Sequence, residues 1–104
     1  MPNTTVPANT PEQNRFTSIG DFKTCMRYGG EVEIVWKERH YGIFARLRKT
    51  PDAPIQMLIS QVCIENPQET EKWCDTADEV LDYMVGPDRL RDVITQVTVL
   101  DRTI

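Results

Sequence analysis

Residues 31–48 of the chain read EVEIVWKERHYGIFARLR. Apolar and polar side chains alternate along both halves of this stretch, which is the period of a strand with one buried face. In the first half, Val32, Ile34 and Trp36 share one face. Residues 38–39, Glu-Arg, lie between the halves and suit a tight turn. The stretch therefore predicts a β-hairpin around which the remaining elements are arranged.

A short amphipathic helix is predicted before the hairpin, over residues 18–28. Ser18 followed three residues later by Asp21 approximates a capping box, and the apolar residues behind it are spaced three and four apart. Residues 29–30, Gly-Gly, end the helix because glycine accepts the positive φ of a C-cap. Residues 1–15 hold three prolines among polar residues and cannot offset their ordering entropy, which predicts a disordered N-terminal arm.

Further elements are predicted after the hairpin. Residues 55–64 are apolar enough for a third strand. Thr76 and Glu79 form a capping box for a second helix, and residues 86–87, Gly-Pro, end that helix and start a third. Three of residues 97–100 are β-branched, which predicts a short fourth strand at the end of the chain.

The length and charge narrow the class of protein. A chain of 104 residues suits one domain and is too short for a (β/α)₈ barrel. The net charge of -4 argues against a globally basic nucleic-acid binder. Together with the element order, α-β-β-β-α-α with a final β, this predicts one α+β domain over residues 16–104. Its expected architecture is an antiparallel three-stranded meander with helices mainly on one face.

The chemistry-bearing residues are sparse. The three cysteines, Cys25, Cys63 and Cys74, form no CxxC pair, and no apolar run is long enough to cross a bilayer. The N-terminus carries no secretory signal pattern. These features predict a cytoplasmic protein with reduced thiols, no membrane contact, no metal site and no cofactor. A non-enzymatic role is expected, and an enzyme using Cys63, Cys74 or His40 is the alternative.

Two segments resemble a family of small bacterial proteins found in Firmicutes genomes, phages and mobile elements. One is the hairpin, with GEVEI at residues 30–34 and HYGI at 40–43; the other is the tail, DTADEVLDY at 75–83 and LRDVITQVTV at 90–99. The Gly-Lys turn usual in that hairpin is replaced by Glu-Arg here. The resemblance covers about residues 16–100 and implies a fold and a genomic context, but no activity.

Charge is unevenly distributed along the chain. Residues 36–50 carry five cations and one carboxylate, a net of +4, whereas residues 65–92 carry nine carboxylates and three cations, a net of -6. Such polarity steers association. Combined with the mobile-element context, it predicts an anti-CRISPR-type inhibitor whose carboxylates bind where a CRISPR nuclease, or another nucleic-acid-binding host protein, expects phosphates. The predicted acidic surface consists of Glu71, Asp75, Asp78, Glu79, Asp82, Asp88 and Asp92.

A second candidate surface lies on the sheet. If one face of the strands packs on the helices, Val35, Phe44 and Leu58 point the other way among charged residues, which is typical of a contact patch. A further helix or the N-terminal arm covering that face is the alternative. The predicted sheet-face site consists of Val35, Phe44, Leu58, Arg46 and Arg48.

The same face leaves two other functions open. A single strand of nucleic acid could stack and be clamped there, although Glu31 and Glu33 oppose it. A structural homodimer through Val35, Phe44 and Leu58 is the other. The residues assigned to nucleic-acid binding are Lys37, Phe44, Arg46, Arg48 and Lys49.

Overall fold

The computed structural model describes residues 10–46, 50, 52 and 55–103. The predicted hairpin is confirmed as β1 (Val32–Trp36) and β2 (Arg39–Arg46), paired antiparallel with Trp36 opposite Arg39. The turn is therefore Lys37-Glu38, one residue earlier than predicted. Both residues have positive φ, 49° and 68°, as a two-residue turn with the twist of a hairpin requires.

The hairpin forms the middle of a larger sheet. β3 (Gln56–Val62), β4 (Lys72–Cys74) and β7 (Thr98–Arg102) complete five antiparallel strands in the order β4-β3-β2-β1-β7. The α+β class is confirmed and the final strand is present, but the three-stranded meander is wrong. β4 lies between the predicted third strand and the second helix, where no strand is predicted, because its ladder with β3 depends on a non-local pairing that alternation does not reveal.

The helices are short. α2 (Ile19–Arg27) has the predicted caps: Ser18 Oγ accepts from the Asp21 N–H at 3.0 Å, and Gly29, at φ 73°, follows the last turn. Thr76 caps α3 (Ala77–Leu81) as predicted, with its Oγ1 accepting from the Glu79 N–H at 3.2 Å. The other helices are α1 (Pro11–Asn14), α4 (Leu90–Val93) and a 3-10 helix at Pro67–Thr70.

Residues 86–87 do not separate two helices as predicted, because α3 ends at Leu81 and α4 covers only Leu90–Val93. Gly86, at φ 70°, and Pro87 turn a two-stranded ribbon made of β5 (Met84–Val85) and β6 (Asp88–Arg89). The Asp88 carboxylate accepts from Trp36 Nε1 at 2.9 Å, which draws the ribbon toward the hairpin. These contacts outweigh the helical spacing of the sequence, and only α4 remains helical.

The folded region begins before residue 16. α1 lies in the segment predicted as a disordered arm, and Asn14 is buried. The Asn14 side-chain amide donates to the Val99 carbonyl at 3.5 Å, and Arg102 donates to the Asn14 carbonyl at 3.0 Å. These hydrogen bonds to β7 attach residues 10–15 to the domain. Residues 1–9 of the predicted arm lie outside the described residues.

The core lies between the helices and one side of the sheet. Fully buried sheet residues such as Ile34, Ile43 and Ile59 belong to the same cluster as Phe22 of α2 and Leu81 of α3. Among the described residues, no helix is long and apolar enough to cross a membrane.

Candidate functional site

We call the side of the sheet opposite the core the open face. The strand registers place Phe44 of β2 opposite Leu58 of β3, and Leu58 opposite Trp73 of β4. These three side chains therefore form a row across neighbouring strands. Phe44 is 42% exposed and Trp73 is 50% exposed, while Leu58 between them is partly buried. Large apolar side chains adjoining on a monomer's surface are typical of an interaction site.

Arg46 lies at one side of this row. Its guanidinium lies 5.2 Å from the centroid of the Trp73 ring, in cation–π contact, and donates to Gln56 Oε1 at 3.3 Å. The Gln56 side-chain amide donates in turn to Asp75 at 2.9 Å. The chain of contacts orients Arg46 over the tryptophan while leaving most of its five N–H groups available to a partner.

The Phe44 ring lies over Gly42 on its own strand. A Cβ at Gly42 would come within 2.6 Å of the Phe44 ring, so the ring occupies the space that glycine leaves. Gly42 is buried under it although the position is on the open face. The exposed Phe44 ring thus packs directly on the backbone of Gly42.

A carboxylate lies on the other side of the row. Glu33 of β1 is opposite Gly42, and its Oε2 is 3.6 Å from His40 Nδ1. Asp101 of β7 is opposite Glu33 and is exposed. The open face therefore has a cation on one side of its apolar row and carboxylates on the other.

Sequence reasoning found most of this face but not all of it. Val35, Phe44, Leu58 and Arg46 lie on it together, whereas Arg48 lies outside the described residues. Trp73 was missed because it lies in a three-residue strand without alternation to identify it. The only feature of the sequence that could have identified it is a lone tryptophan between Lys72 and Cys74.

The predicted acidic surface is largely engaged in pairs with its own chain. Asp78 is 3.0 Å from Lys23 Nζ and 3.2 Å from Arg91, which also reaches Asp82 at 3.4 Å. Asp88 is paired with Lys37 at 3.0 Å. With Asp75 bonded to Gln56, four of the seven predicted carboxylates have partners. Within the part of the chain that the structure describes, the side chains of Glu71, Glu79 and Asp92 have none.

The pairs hold two of these carboxylates, Asp78 and Asp88, ionised. The hydrogen bond from Lys23, followed by that from Arg91, lowers the pKa of Asp78. The hydrogen bonds from Trp36 and then Lys37 lower the pKa of Asp88 in the same way. Each negative charge is thus stabilised next to a local cation, so this surface presents less free negative charge than its sequence indicates.

The thiols and the histidine do not assemble into a nucleophilic pair in the described residues. Cys25 and Cys74 are buried, and burial raises the pKa of both thiols, which keeps them protonated at neutral pH. Cys63 is exposed, with no hydrogen bond to His40. No cluster of three or more potential metal ligands is found in the same residues.

An open groove of about 310 Å³ lies on the helical side, between α2 and the start of α3. Met26 and Met57 form part of its floor. Two of its charged side chains are already paired, Lys23 with Asp78 and Asp75 with Gln56. The open face is therefore the better candidate for a binding site.

Comparison of the chain with protein-family models, with curated proteins and with solved structures finds no match. The resemblance to mobile-element proteins accordingly stays a prediction.

Proposed function

We propose that this chain is a protein-binding module whose binding surface is the open face. The row formed by Phe44, Leu58 and Trp73, with Arg46 stacked on the tryptophan, carries the proposal. Aromatic side chains and arginine are the residue types that contribute most to binding energy in protein interfaces. The paired carboxylates of the acidic surface contribute less binding energy to a partner, because each must first give up its contact with a side chain of its own chain.

The surroundings of the row favour a protein over a nucleic acid. Arg46 is accompanied by Glu33 and Asp101 on the same face, and by Glu71 and Asp75 at the ends of β4. A phosphate backbone would meet these carboxylates, whereas nucleic-acid binding normally depends on neutralising phosphates with cations. The aromatic row with its arginine nevertheless provides a stacking platform, so nucleic acid is included in the test.

The test compares the wild type with two matched double variants. Phe44→Ala with Trp73→Ala removes the open-face aromatics. Tyr28→Ala with Met84→Ala removes side chains that are 65% and 53% exposed elsewhere. Each is used as bait in host lysate, and each protein that the wild type retains is purified and titrated by calorimetry.

We expect a partner that binds the wild type and the Tyr28/Met84 variant alike and loses affinity for the Phe44/Trp73 variant. Equal affinity for all three chains would contradict the proposal. Anisotropy of labelled single-stranded DNA and RNA is measured in parallel. Salt-sensitive binding that disappears in the Phe44/Trp73 variant would replace the protein partner by a nucleic acid.

A further inference from the structure

The open face is self-complementary, because it carries both an apolar row and charges of opposite sign on the two sides of that row. Its apolar row runs across β2, β3 and β4, roughly perpendicular to the strands. Arg46 lies two residues after Phe44 on β2, and Gly42 lies two residues before it, beside Glu33 of β1. The cation and the carboxylate are therefore displaced from the row by about the same distance along the strand, in opposite directions.

We propose, building on the proposed function, that the partner of the open face is a second copy of this chain. The two copies pack face to face, with a two-fold axis that runs along the row of Phe44, Leu58 and Trp73. Such an axis exchanges the two sides of the row, so that each of the three residues lies opposite its own counterpart. The strands of the two sheets are then nearly aligned, as in a β-sandwich whose sheets lie about 10 Å apart.

The rotation also pairs the charges. It places the Arg46 backbone of each copy opposite Gly42 of the other, where the Phe44 ring lies on the backbone. Glu33 is the neighbour of Gly42 in the sheet, so an Arg46 side chain that turns from Trp73 toward β1 comes close to a carboxylate of the other copy. Both contacts occur twice, once on each side of the axis.

Both charged groups are accessible to a second copy. The Arg46 side chain is exposed, and the pairing exchanges its contacts with Gln56 and Trp73 for a contact across the axis. Glu33 has His40 as its neighbour at 3.6 Å, and a carboxylate accepts several hydrogen bonds. At the outer edge, the same rotation brings Asp75 toward Glu71 of the second copy, where solvent and salt screen the repulsion.

Charge reversal tests this arrangement specifically. The chain with Arg46→Glu has two carboxylates at the paired positions, and the chain with Glu33→Arg has two cations. Each variant alone opposes like charges across the axis, which disfavours association strongly. An equimolar mixture opposes unlike charges at both sites. Recovery of association on mixing is therefore expected only if these two residues face each other in a two-fold dimer.

The measurement is sedimentation velocity across a wide concentration series, with circular dichroism confirming that each chain is folded. We expect a concentration-dependent dimer for the wild type, a dissociation constant raised by roughly tenfold or more for each variant, and restored dimer in the mixture. Tyr28→Ala, at the exposed end of α2 on the helical side of the sheet, should leave the dissociation constant unchanged.

A wild type that remains monomeric throughout the series, or a mixture that does not associate, would overturn the second-copy proposal. The two proposals fail separately. If the chain is monomeric but a host protein binds it through Phe44 and Trp73, the open face keeps its function with another partner. If the face binds neither a copy of itself nor any other protein, both proposals fall.

Discussion

The two faces of the central sheet differ sharply although they are made of the same strands. On the covered face, Ile43 and Ile59 are fully buried among the helices, while their neighbours Phe44 and Leu58 point to the open face. Exposed apolar residues scattered singly need no explanation, but a row in register across three strands does. The covered face accounts for the fold, and the open face retains apolar surface that folding does not use.

The largest expected difference between the two faces is in the stability lost when neighbouring residues, one on each face, are substituted. Ile43→Ala leaves a cavity in the core and should lower the free energy of unfolding by about 2–5 kcal/mol. Phe44→Ala, one residue later, should lower it by about 1 kcal/mol or less, since its ring is already 42% exposed. Urea denaturation measures both. Equal losses would mean that the open face belongs to the folding core.

The next largest loss of stability is expected at β7, whose residues alternate between the two faces of the sheet. Arg102, on the covered side, bonds Asp21 at 2.7 Å and lies 4.4 Å from the centroid of the Phe16 ring. Because both charges are largely shielded from water, Asp21→Asn should lower the free energy of unfolding by about 2 kcal/mol. Asp101→Asn, on the exposed side of the same strand, is the matched control and should have little effect.

The pH dependence of the Asp21 variant provides a second measurement. The Arg102 hydrogen bond lowers the pKa of Asp21 from its ordinary value of 3.8, although partial burial opposes this. The stabilisation is therefore complete above pH 3.8 and is lost as the pH falls through the lower, folded-state value. The wild type should lose its advantage over Asp21→Asn on acidification in this range. An advantage that persists in strong acid would contradict the ion-pair explanation.

The parts of the fold that sequence reasoning found are those with local causes. The alternation of residues 31–48 gave the hairpin and the division of its residues between two faces, and the side-chain caps Ser18 and Thr76 start helices as expected. The parts that it missed depend on distant contacts. β4 exists through its pairing with β3, and β6 through the bond between Asp88 and Trp36.

The candidate site divides along the same line. Phe44, Leu58 and Arg46 follow from alternation, whereas Trp73 joins them only through the pairing of β4 with β3. The acidic surface shows the opposite outcome. Its carboxylates are clustered in the sequence, but Asp78 and Asp82 meet Arg91 in space, and Asp88 meets Lys37. Sequence composition counts charges without showing which of them are paired.

A smaller effect is expected at the hairpin turn, which sets which residues point to each face. Glu38 has a φ of 68°, a conformation that is costly for a residue with a Cβ and free of that cost for glycine. Glu38→Gly should raise the free energy of unfolding by about 0.5–1 kcal/mol. Arg39→Gly should lower it, because Arg39 lies within β2. The reverse result would place the turn at residues 38–39 and exchange the faces by shifting the register.

Gly42→Ala should have the smallest effect on stability and a specific effect on the open face. The new Cβ would come within 2.6 Å of the Phe44 ring, whose outer atoms can swing aside, so we expect a change in the free energy of unfolding of less than about 1 kcal/mol. The ring would then leave its place over residue 42, which raises its exposure and alters the surface that a partner meets.

Ser60→Ala, a buried position opposite Gly42 on β3, is the control for a small substitution on the same face. Shifts of the Phe44 ring resonances together with weaker self-association in Gly42→Ala, and neither in Ser60→Ala, would show that the seated ring is part of the contact surface. Shifted resonances with unchanged association would mean that the contact surface does not include the ring.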